Sequence, residues 1–321
     1  MANAKPAVWI PRVLSQATLE RAARDYEVIL NEADTLSSAE DIVAMSARVD
    51  AMIPCHSEIF SADVAARLDP RLKIIANHSV GVDHCDLAAL KARGVTVTNT
   101  PDVLSDATAE IAILLMLGAA RRAVEGDRIV RSGGWSIWSP SFMVGKQVSG
   151  SRLTIVGMGR VGQAVARNAR GFGMEVHYHN RRRLDAGKEH GAIFHDTLEG
   201  ALGVADFLSL HCPATAETKG LMNAETFALL PDGAVVVNTA RGALIDEDAL
   251  IAALESGKVS AAGLDCFVSE PGGNPAFAAY DTIFMLPHIG SATVRTRDAM
   301  GFRALDNLDA FFRGEVPRDS L

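Results

Sequence analysis

The most constraining feature of this chain lies near its middle, where LTIVGMGRVGQAVARNARGFG places Gly157, Gly159 and Gly162 directly behind a short apolar run and at the head of a helix-periodic one. Strand, tight turn and helix in that order build a βαβ unit. The first glycine permits the turn, the second lets a pyrophosphate approach the backbone, and the third lets helix and strand pack closely. The helix then points its unpaired N-terminal N–H groups at the phosphates. Glycines also mark ordinary turns, but with a strand before and a helix after them they read as a dinucleotide site. Arg160 and Val161 are further candidate contacts of the same loop.

Short apolar runs alternate with helical patterns along nearly the whole chain, the pattern of parallel sheets wrapped by helices. Ahead of the glycine loop, strands are expected at 7–10, 27–30, 51–53, 73–76 and 95–98, with helical segments such as 18–24 and 57–68 between them. Behind it, strands are expected at 153–156, 175–179, 207–211, 234–238, 261–264 and 283–286. The fold class is therefore α/β, with two Rossmann-like or flavodoxin-like domains of parallel sheet. A length of 321 residues agrees with two domains, a single large barrel being the main rival.

Between the two series, Asn99, Thr100 and Pro101 break the pattern, because the residue before a proline is pushed away from helix. A helix over 103–122 follows, apolar nearly all round in its middle, which suits burial between layers. The stretch 132–150 holds Gly133, Gly134, Trp135, Trp138, Pro140 and Gly145 and reads as a long loop. In a compact protein such a loop is usually functional or an oligomer contact. A last amphipathic helix over 293–312 can return to the first domain.

Charge limits the partners. With 31 Lys and Arg against 39 Asp and Glu, the formal charge is −8, so no global positive field exists for nucleic acid or an anionic membrane. The longest strongly apolar stretch, 111–120, is about half of the roughly 20 residues that span a bilayer. The start of the chain shows no apolar core behind a basic segment, so no secretory signal is expected. Cys55, Cys85, Cys212 and Cys266 are dispersed without a CxxC pair and read as free thiols in a reducing compartment. A cytoplasmic protein is expected.

The next strand, EVHYHNRRR, bears on which dinucleotide is bound. About 20 residues past the glycines, an NAD site wants an Asp or Glu to accept hydrogen bonds from the adenosine ribose hydroxyls. Here Asn180 stands there, followed at once by Arg181, Arg182 and Arg183. An acid would repel a 2'-phosphate, whereas Asn is neutral and a guanidinium fork binds phosphate oxygens in pairs. NADP(H) is therefore expected in preference to NAD(H), with a solvated basic turn as the competing reading. His177 and His179 share one face of this strand, and no metal site is expected there for want of an acidic or thiol ligand close by in the sequence.

Three later segments put polar residues at the carboxyl ends of strands, where α/β sheets place their chemistry. They are VVVNTARGALID, GLDCFVSEP and MLPHIGSAT, and Arg241, Glu270 and His288 stand out in them. Singly each has a plain reading: a salt-bridge partner, a turn residue before Pro271, a core histidine. Together with VGMGRVG, and with NHSVGVDHCDLAAL, VTVTNTPDVLSDATAE and GGWSIWSP upstream, they resemble the D-isomer-specific 2-hydroxyacid dehydrogenase family over essentially the whole chain. Within it the glyoxylate and hydroxypyruvate reductase branch is the best match. The resemblance implies a split substrate domain, 1–102 plus 290–321, with an NAD(P)-binding Rossmann domain, 103–289, inserted into it.

It also implies roles. Arg241 matches the arginine that binds the carboxylate and keto oxygen of a 2-oxo acid, since a planar guanidinium can hold two oxygens and polarise the carbonyl. His288 matches the proton donor to the alkoxide formed when hydride reaches C2, and Glu270 the carboxylate paired with it, which favours the charged imidazole. Val80 and Gly81 match backbone N–H donors to the substrate carboxylate, and Ser291 is a further substrate contact. Asp265 matches the residue that bonds the nicotinamide carboxamide, beside Thr239 and Ala240. Thr108, His211, Cys212, Pro213, Thr218 and Gly290 line the cofactor in the same comparison. Trp138 matches a tryptophan that reaches the partner subunit's active site, and a homodimer through the 103–122 helix and the 135–145 loop is expected.

The chain departs from the family pattern in GLDCFVSEP, which lacks the second acid common ahead of the glutamate, and in the 53–56 loop, which points to no one substrate. The implied activity is reduction of glyoxylate and hydroxypyruvate to D-2-hydroxy acids. The alternatives are a dinucleotide-sensing, corepressor-like binding protein and a phosphite or other D-2-hydroxyacid dehydrogenase on the same scaffold.

Overall fold

Unbroken apolar runs become strands here because helices cover both faces of a parallel sheet. The structure, a computed structural model, describes residues 5–321. The four residues before them, part of the start read as carrying no secretory signal, lie outside the described residues. Residues 1–104 with 292–321 form one compact unit and residues 105–291 the other.

In the first unit β1 (Ala7–Ile10), α1 (Gln16–Asp25), β2 (Glu27–Leu30), α2 (Ala39–Ser46), β3 (Ala51–Met52), α3 (Ala62–Arg67), β4 (Ile74–Ala76), α4 (Leu87–Ala92) and β5 (Thr96–Thr98) alternate. Every pairing is parallel and the order is β2-β1-β3-β4-β5, a flavodoxin-like sheet. Side chains such as Ile10, Ile53 and Ile74 pack on one face, and Met52, Phe60 and Ile75 on the other.

The second unit opens with α5 (Ser105–Ala120) and α6 (Ala123–Arg131) and continues as β6 (Arg152–Val156), α7 (Arg160–Arg170), β7 (Glu175–His179), α8 (Ala186–Glu189) and β8 (Ile193–His195). It ends with α9 (Leu198–Leu202), β9 (Phe207–Leu210), α10 (Ala224–Ala228), β10 (Ala234–Asn238), α11 (Glu247–Glu255), β11 (Val259–Leu264) and β12 (Ile283–Met285). The chain then returns to the first unit as α12 (Val294–Phe312). The second sheet has the order β12-β11-β10-β9-β6-β7-β8, all parallel. Strand order reverses between β9 and β6, and at such a switch point the loops beyond the carboxyl ends part to leave a crevice for a ligand. The glycine loop follows β6 and the His211 to Pro213 segment follows β9.

The expected long helix is real but shorter, and it leaves a narrow exposed stripe at Asp106, Glu110 and Leu114, the i, i+4, i+8 spacing of one helix face. Its other faces pack into the core against residues of β6, β7 and α7. The segment 132–150 carries no regular element, as its glycines and Pro140 suggest. Among the described residues no helix is long and apolar enough to cross a membrane. The four cysteines are free thiols, and burial pushes Cys55 and Cys85 up to about 12.

Burial also pushes His78, after β4, and His211, after β9, down to about 4. An unfolded chain titrates its histidines at about 6.5. Between these values the unfolded state binds more protons, so stability is expected to fall as the pH drops from about 6.5 towards about 4. Below that window these two groups add no further dependence. Urea midpoints across this range check the prediction; a level midpoint in the parent protein, or an unchanged slope in His78→Gln, would contradict it.

Candidate active site

The turn after β6 gives each glycine a steric reason. Gly157 has φ +99°, a left-handed conformation open to glycine, and a Cβ there would lie 2.3 Å from Cys212 N. A Cβ on Gly162 would lie 2.4 Å from Gly157 O, so a side chain would push α7 off β6. Nothing lies within 4 Å of a Cβ built on Gly159, whose backbone is therefore open to a ligand. Gly159 is also the N-cap of α7 and supplies no side-chain cap, so it leaves the N-terminus of the helix uncovered by its own side chain. Open backbone at a helix N-terminus beside a switch point fits a pyrophosphate.

Asn180, one residue past β7, accepts a hydrogen bond from Met158 N at 2.7 Å through Oδ1, so its side chain clasps the glycine loop. Arg181 and Arg182 are exposed beside it. Arg183 is committed elsewhere: it donates to both oxygens of buried Glu189 at 2.7 and 3.1 Å and lies over the Phe194 ring. Arg183 and Tyr178 together hold the Glu189 carboxyl down to about 2. The expectation that His177 has no acidic neighbour is corrected. Its Nε2 meets Glu175 Oε1 on the same strand at 2.8 Å, and its Nδ1 meets His195 Nε2 at 2.9 Å, which joins β7 to the edge strand β8.

Past β9, His211 pairs through Nε2 with Ser209 Oγ at 2.8 Å and through Nδ1 with Thr239 Oγ1 at 3.3 Å. Burial pushes the neighbouring Cys212 thiol up to about 11. Thr218 closes this loop, donating to Pro213 O at 2.7 Å and accepting from Thr215 N at 2.8 Å. Thr108 is buried on α5, and a Cβ on Gly290 would come within 3.3 Å of its hydroxyl.

At the end of β10 the chain turns sharply. Asn238 enforces the turn, accepting from Ala240 N at 2.9 Å and donating to Arg241 O at 2.8 Å. Arg241 itself is half-buried, with Nη1 donating to Ala240 O at 2.7 Å. Past β11, Glu270 takes Phe267 N on Oε1 at 2.8 Å and sets Oε2 2.6 Å from His288 Nδ1. His288 has φ +54°, a strained conformation for a residue with a Cβ. The buried carboxylate of Asp265 holds the backbone there, accepting from Ile289 N at 2.8 Å and from Gly290 N at 2.7 Å. Burial raises the Asp265 pKa although these two N–H bonds pull the other way.

In the first unit, Val80 and Gly81 follow β4 on a loop pinned by Asn99 Nδ2, which donates to Val80 O at 2.8 Å, and by Ser79 Oγ, which donates to Gly81 O at 2.8 Å. Among the described residues the Val80 and Gly81 N–H groups meet no acceptor, as a carboxylate cradle requires.

Residues 113–290 match the family described as D-isomer specific 2-hydroxyacid dehydrogenase, NAD binding domain. The chain is 40% identical over 312 residues to glycerate dehydrogenase of Hyphomicrobium methylovorum, covering 97% of each chain. It is 41% identical over 318 residues to glyoxylate reductase of Pyrococcus furiosus, covering 98% of this chain and 94% of that one. The chain belongs to the D-isomer-specific 2-hydroxyacid dehydrogenase family. Its fold matches the NADPH-dependent glyoxylate/hydroxypyruvate reductase of Sinorhizobium meliloti in complex with NADP and malonate, at TM-score 0.87 and 31% identity, over 99% of this chain and 97% of that one. This dehydrogenase is thus an NAD(P)-dependent oxidoreductase whose relatives include a glycerate dehydrogenase and a glyoxylate reductase.

Some residues that shape the dehydrogenase's site were not singled out in the sequence. Asn238 at the end of an apolar strand is an Asx-turn signal that could have been read. Glu247, which accepts from Val268 N at 3.0 Å and Asn274 Nδ2 at 2.9 Å, carries no local signal. Ser291 is half-buried, and Trp138 is 78% exposed on the 132–150 segment, away from any core cluster.

Proposed function

We propose that this dehydrogenase reduces small 2-oxo acids, glyoxylate and hydroxypyruvate first, to D-2-hydroxy acids, with NADP(H) preferred over NAD(H). The 2.6 Å contact of Glu270 Oε2 with His288 Nδ1, on a backbone that Asp265 ties down, is the observation that carries this reading. With Nδ1 engaged by the carboxylate, Nε2 of a charged ring is the nitrogen that gives its proton to the substrate oxygen. Arg241 binds the 2-oxo acid through carboxylate and keto oxygens and stabilises charge growing on the latter. Val80 and Gly81 offer backbone N–H groups as donors to a substrate carboxylate. A bound dihydronicotinamide supplies the hydride.

Asn180 supports the cofactor preference, because its side chain is neutral and its oxygen is already used by Met158 N. Arg181 and Arg182 remain for a 2'-phosphate, whereas Arg183 is held by Glu189. Glyoxylate reductase and glycerate dehydrogenase among the relatives support the substrate class. Initial rates with NADPH and NADH across a panel of 2-oxo acids test the proposal. Equal or better turnover with NADH would overturn the preference, and inertness towards every acid would overturn the reaction. Joint Arg181→Ala and Arg182→Ala replacement is expected to raise KM for NADPH by about tenfold to a hundredfold, the loss of a charge-assisted contact, and to leave that for NADH unchanged.

We further propose a homodimer in the cytoplasm. Leu114, Val130, Trp135, Ile137, Trp138 and Val144 are exposed apolar side chains on α5, α6 and the following segment, an apolar surface of the kind a second copy covers. Light scattering that returns a monomer mass would overturn the dimer.

A further inference from the structure

We infer that Glu247 is a positioning residue for the Glu270–His288 pair, a role that rests on the proton-donor reading above. Glu247 is the first residue of α11, yet it does not cap its own helix. Asp246 does that, accepting from Asp248 N and Ala249 N, each at 3.1 Å. The Glu247 carboxylate instead reaches across to the loop after β11. Its Oε1 accepts from Val268 N at 3.0 Å and its Oε2 from Asn274 Nδ2 at 2.9 Å. Glu270 lies between those two donors.

The two bonds grip the loop on both sides of the residue that orients His288. Asn274 is itself fixed, because its Oδ1 accepts from Ala276 N at 3.0 Å at the start of a 3-10 turn (Pro275–Ala279). Inside the loop, Gly273 N donates to Ser269 O at 2.9 Å and Phe267 N to Glu270 Oε1 at 2.8 Å. Those bonds shape the loop but do not attach it to a neighbour. Glu247 is one attachment, beside the Cys266 Sγ contact with Ala240 O at 3.5 Å, the Glu270–His288 contact and the close approach of Gly242 to Phe267. Gly242 follows Arg241 directly and Glu247 lies five residues further on, so one short stretch positions both the arginine and the glutamate's loop. A carboxylate suits the task because it accepts from two donors at once.

Steady-state rates of 2-oxo acid reduction test the role in Glu247→Ala, Asn274→Ala, Glu270→Gln and the Glu247→Ala/Glu270→Gln double variant. Glu247→Ala is expected to lower kcat by about tenfold to a hundredfold, the penalty of a misplaced catalytic group, with KM for the cofactor unchanged. Asn274→Ala removes one of the two anchors and is expected to lose less. In the Glu270→Gln background the same Glu247→Ala change should lose less than about threefold, because the group it positions is already gone. Equal fold losses in both backgrounds, or a change confined to KM, would overturn the role.

Should Glu247→Ala fail to fold, Glu247→Gln carries the comparison. It keeps an acceptor for Val268 N but faces Asn274 with a donor, so a partial kcat loss that again vanishes beside Glu270→Gln is expected. Parental kcat in both Glu247→Gln and Asn274→Ala would overturn the role. Failure of the underlying reading shows separately, as an undiminished kcat in His288→Asn.

Discussion

Replacing His288 by asparagine is expected to lower kcat for 2-oxo acid reduction by about 10²- to 10⁴-fold, the range for loss of a positioned general acid. Cofactor affinity and the unfolding midpoint should stay at parental values. The choice of asparagine follows from the backbone. With φ +54° at this position, alanine would add strain to the loss of the ring, whereas asparagine is the side chain after glycine that best tolerates the left-handed region. The variant therefore tests the imidazole and not the turn. Its amide still donates a hydrogen bond to a carbonyl oxygen but has no proton to give an alkoxide. Single-turnover decay of NADPH absorbance, with fluorescence titration of the bound reductant, separates chemistry from binding. A loss below tenfold in the single-turnover rate would remove His288 as the donor.

The residues that carry this prediction were legible because their signals are local. A glycine loop needs its strand and helix within a few residues, and the strands at 7–10, 27–30, 175–179 and 234–238 are set by short apolar or alternating runs, so their bounds coincide with the observed ones. Arg241, Glu270 and His288 stood out through short motifs, and the fold brings the last two into contact. What escaped depends on partners distant in the chain. Glu247 reads as an ordinary first-turn acid of a helix until its acceptor role towards Val268, 21 positions away, is seen. Arg183 cannot be told from Arg181 or Arg182 in the run of three, and only the fold brings Glu189 against it. The edge strand β8 is three residues long and is joined to its neighbour partly by a histidine pair, neither of which leaves a periodic trace. The helix α6 was hidden by its charges and by Gly126, although its last turn carries Arg128 and Arg131, cations of the kind that favour a helix C-terminus.

Gly242→Ala is expected to destabilise the protein and to abolish most activity in whatever remains folded. A Cβ at 242 would lie 1.9 Å from Phe267 C, 2.2 Å from Phe267 O and 2.3 Å from Val268 N. All three are backbone atoms, so no side-chain rotation relieves the clash. Overpacking of this kind costs typically about 1–3 kcal/mol and more where the backbone must move. Whichever strand of the contact yields, a functional group moves with it: Arg241 precedes the glycine, and Phe267 N is the donor to Glu270 Oε1. Stability and kcat should therefore fall together, unlike in His288→Asn, where only kcat falls. Gly187→Ala is the matched control, since a Cβ there meets nothing within 4 Å and the residue sits inside α8. It should leave kcat unchanged and raise the unfolding midpoint slightly, by the roughly 0.4–1 kcal/mol that a compatible glycine replacement contributes. If Gly242→Ala unfolds at the parental temperature with parental kcat, the close approach of these two loops is not what holds Arg241 and Glu270 in register.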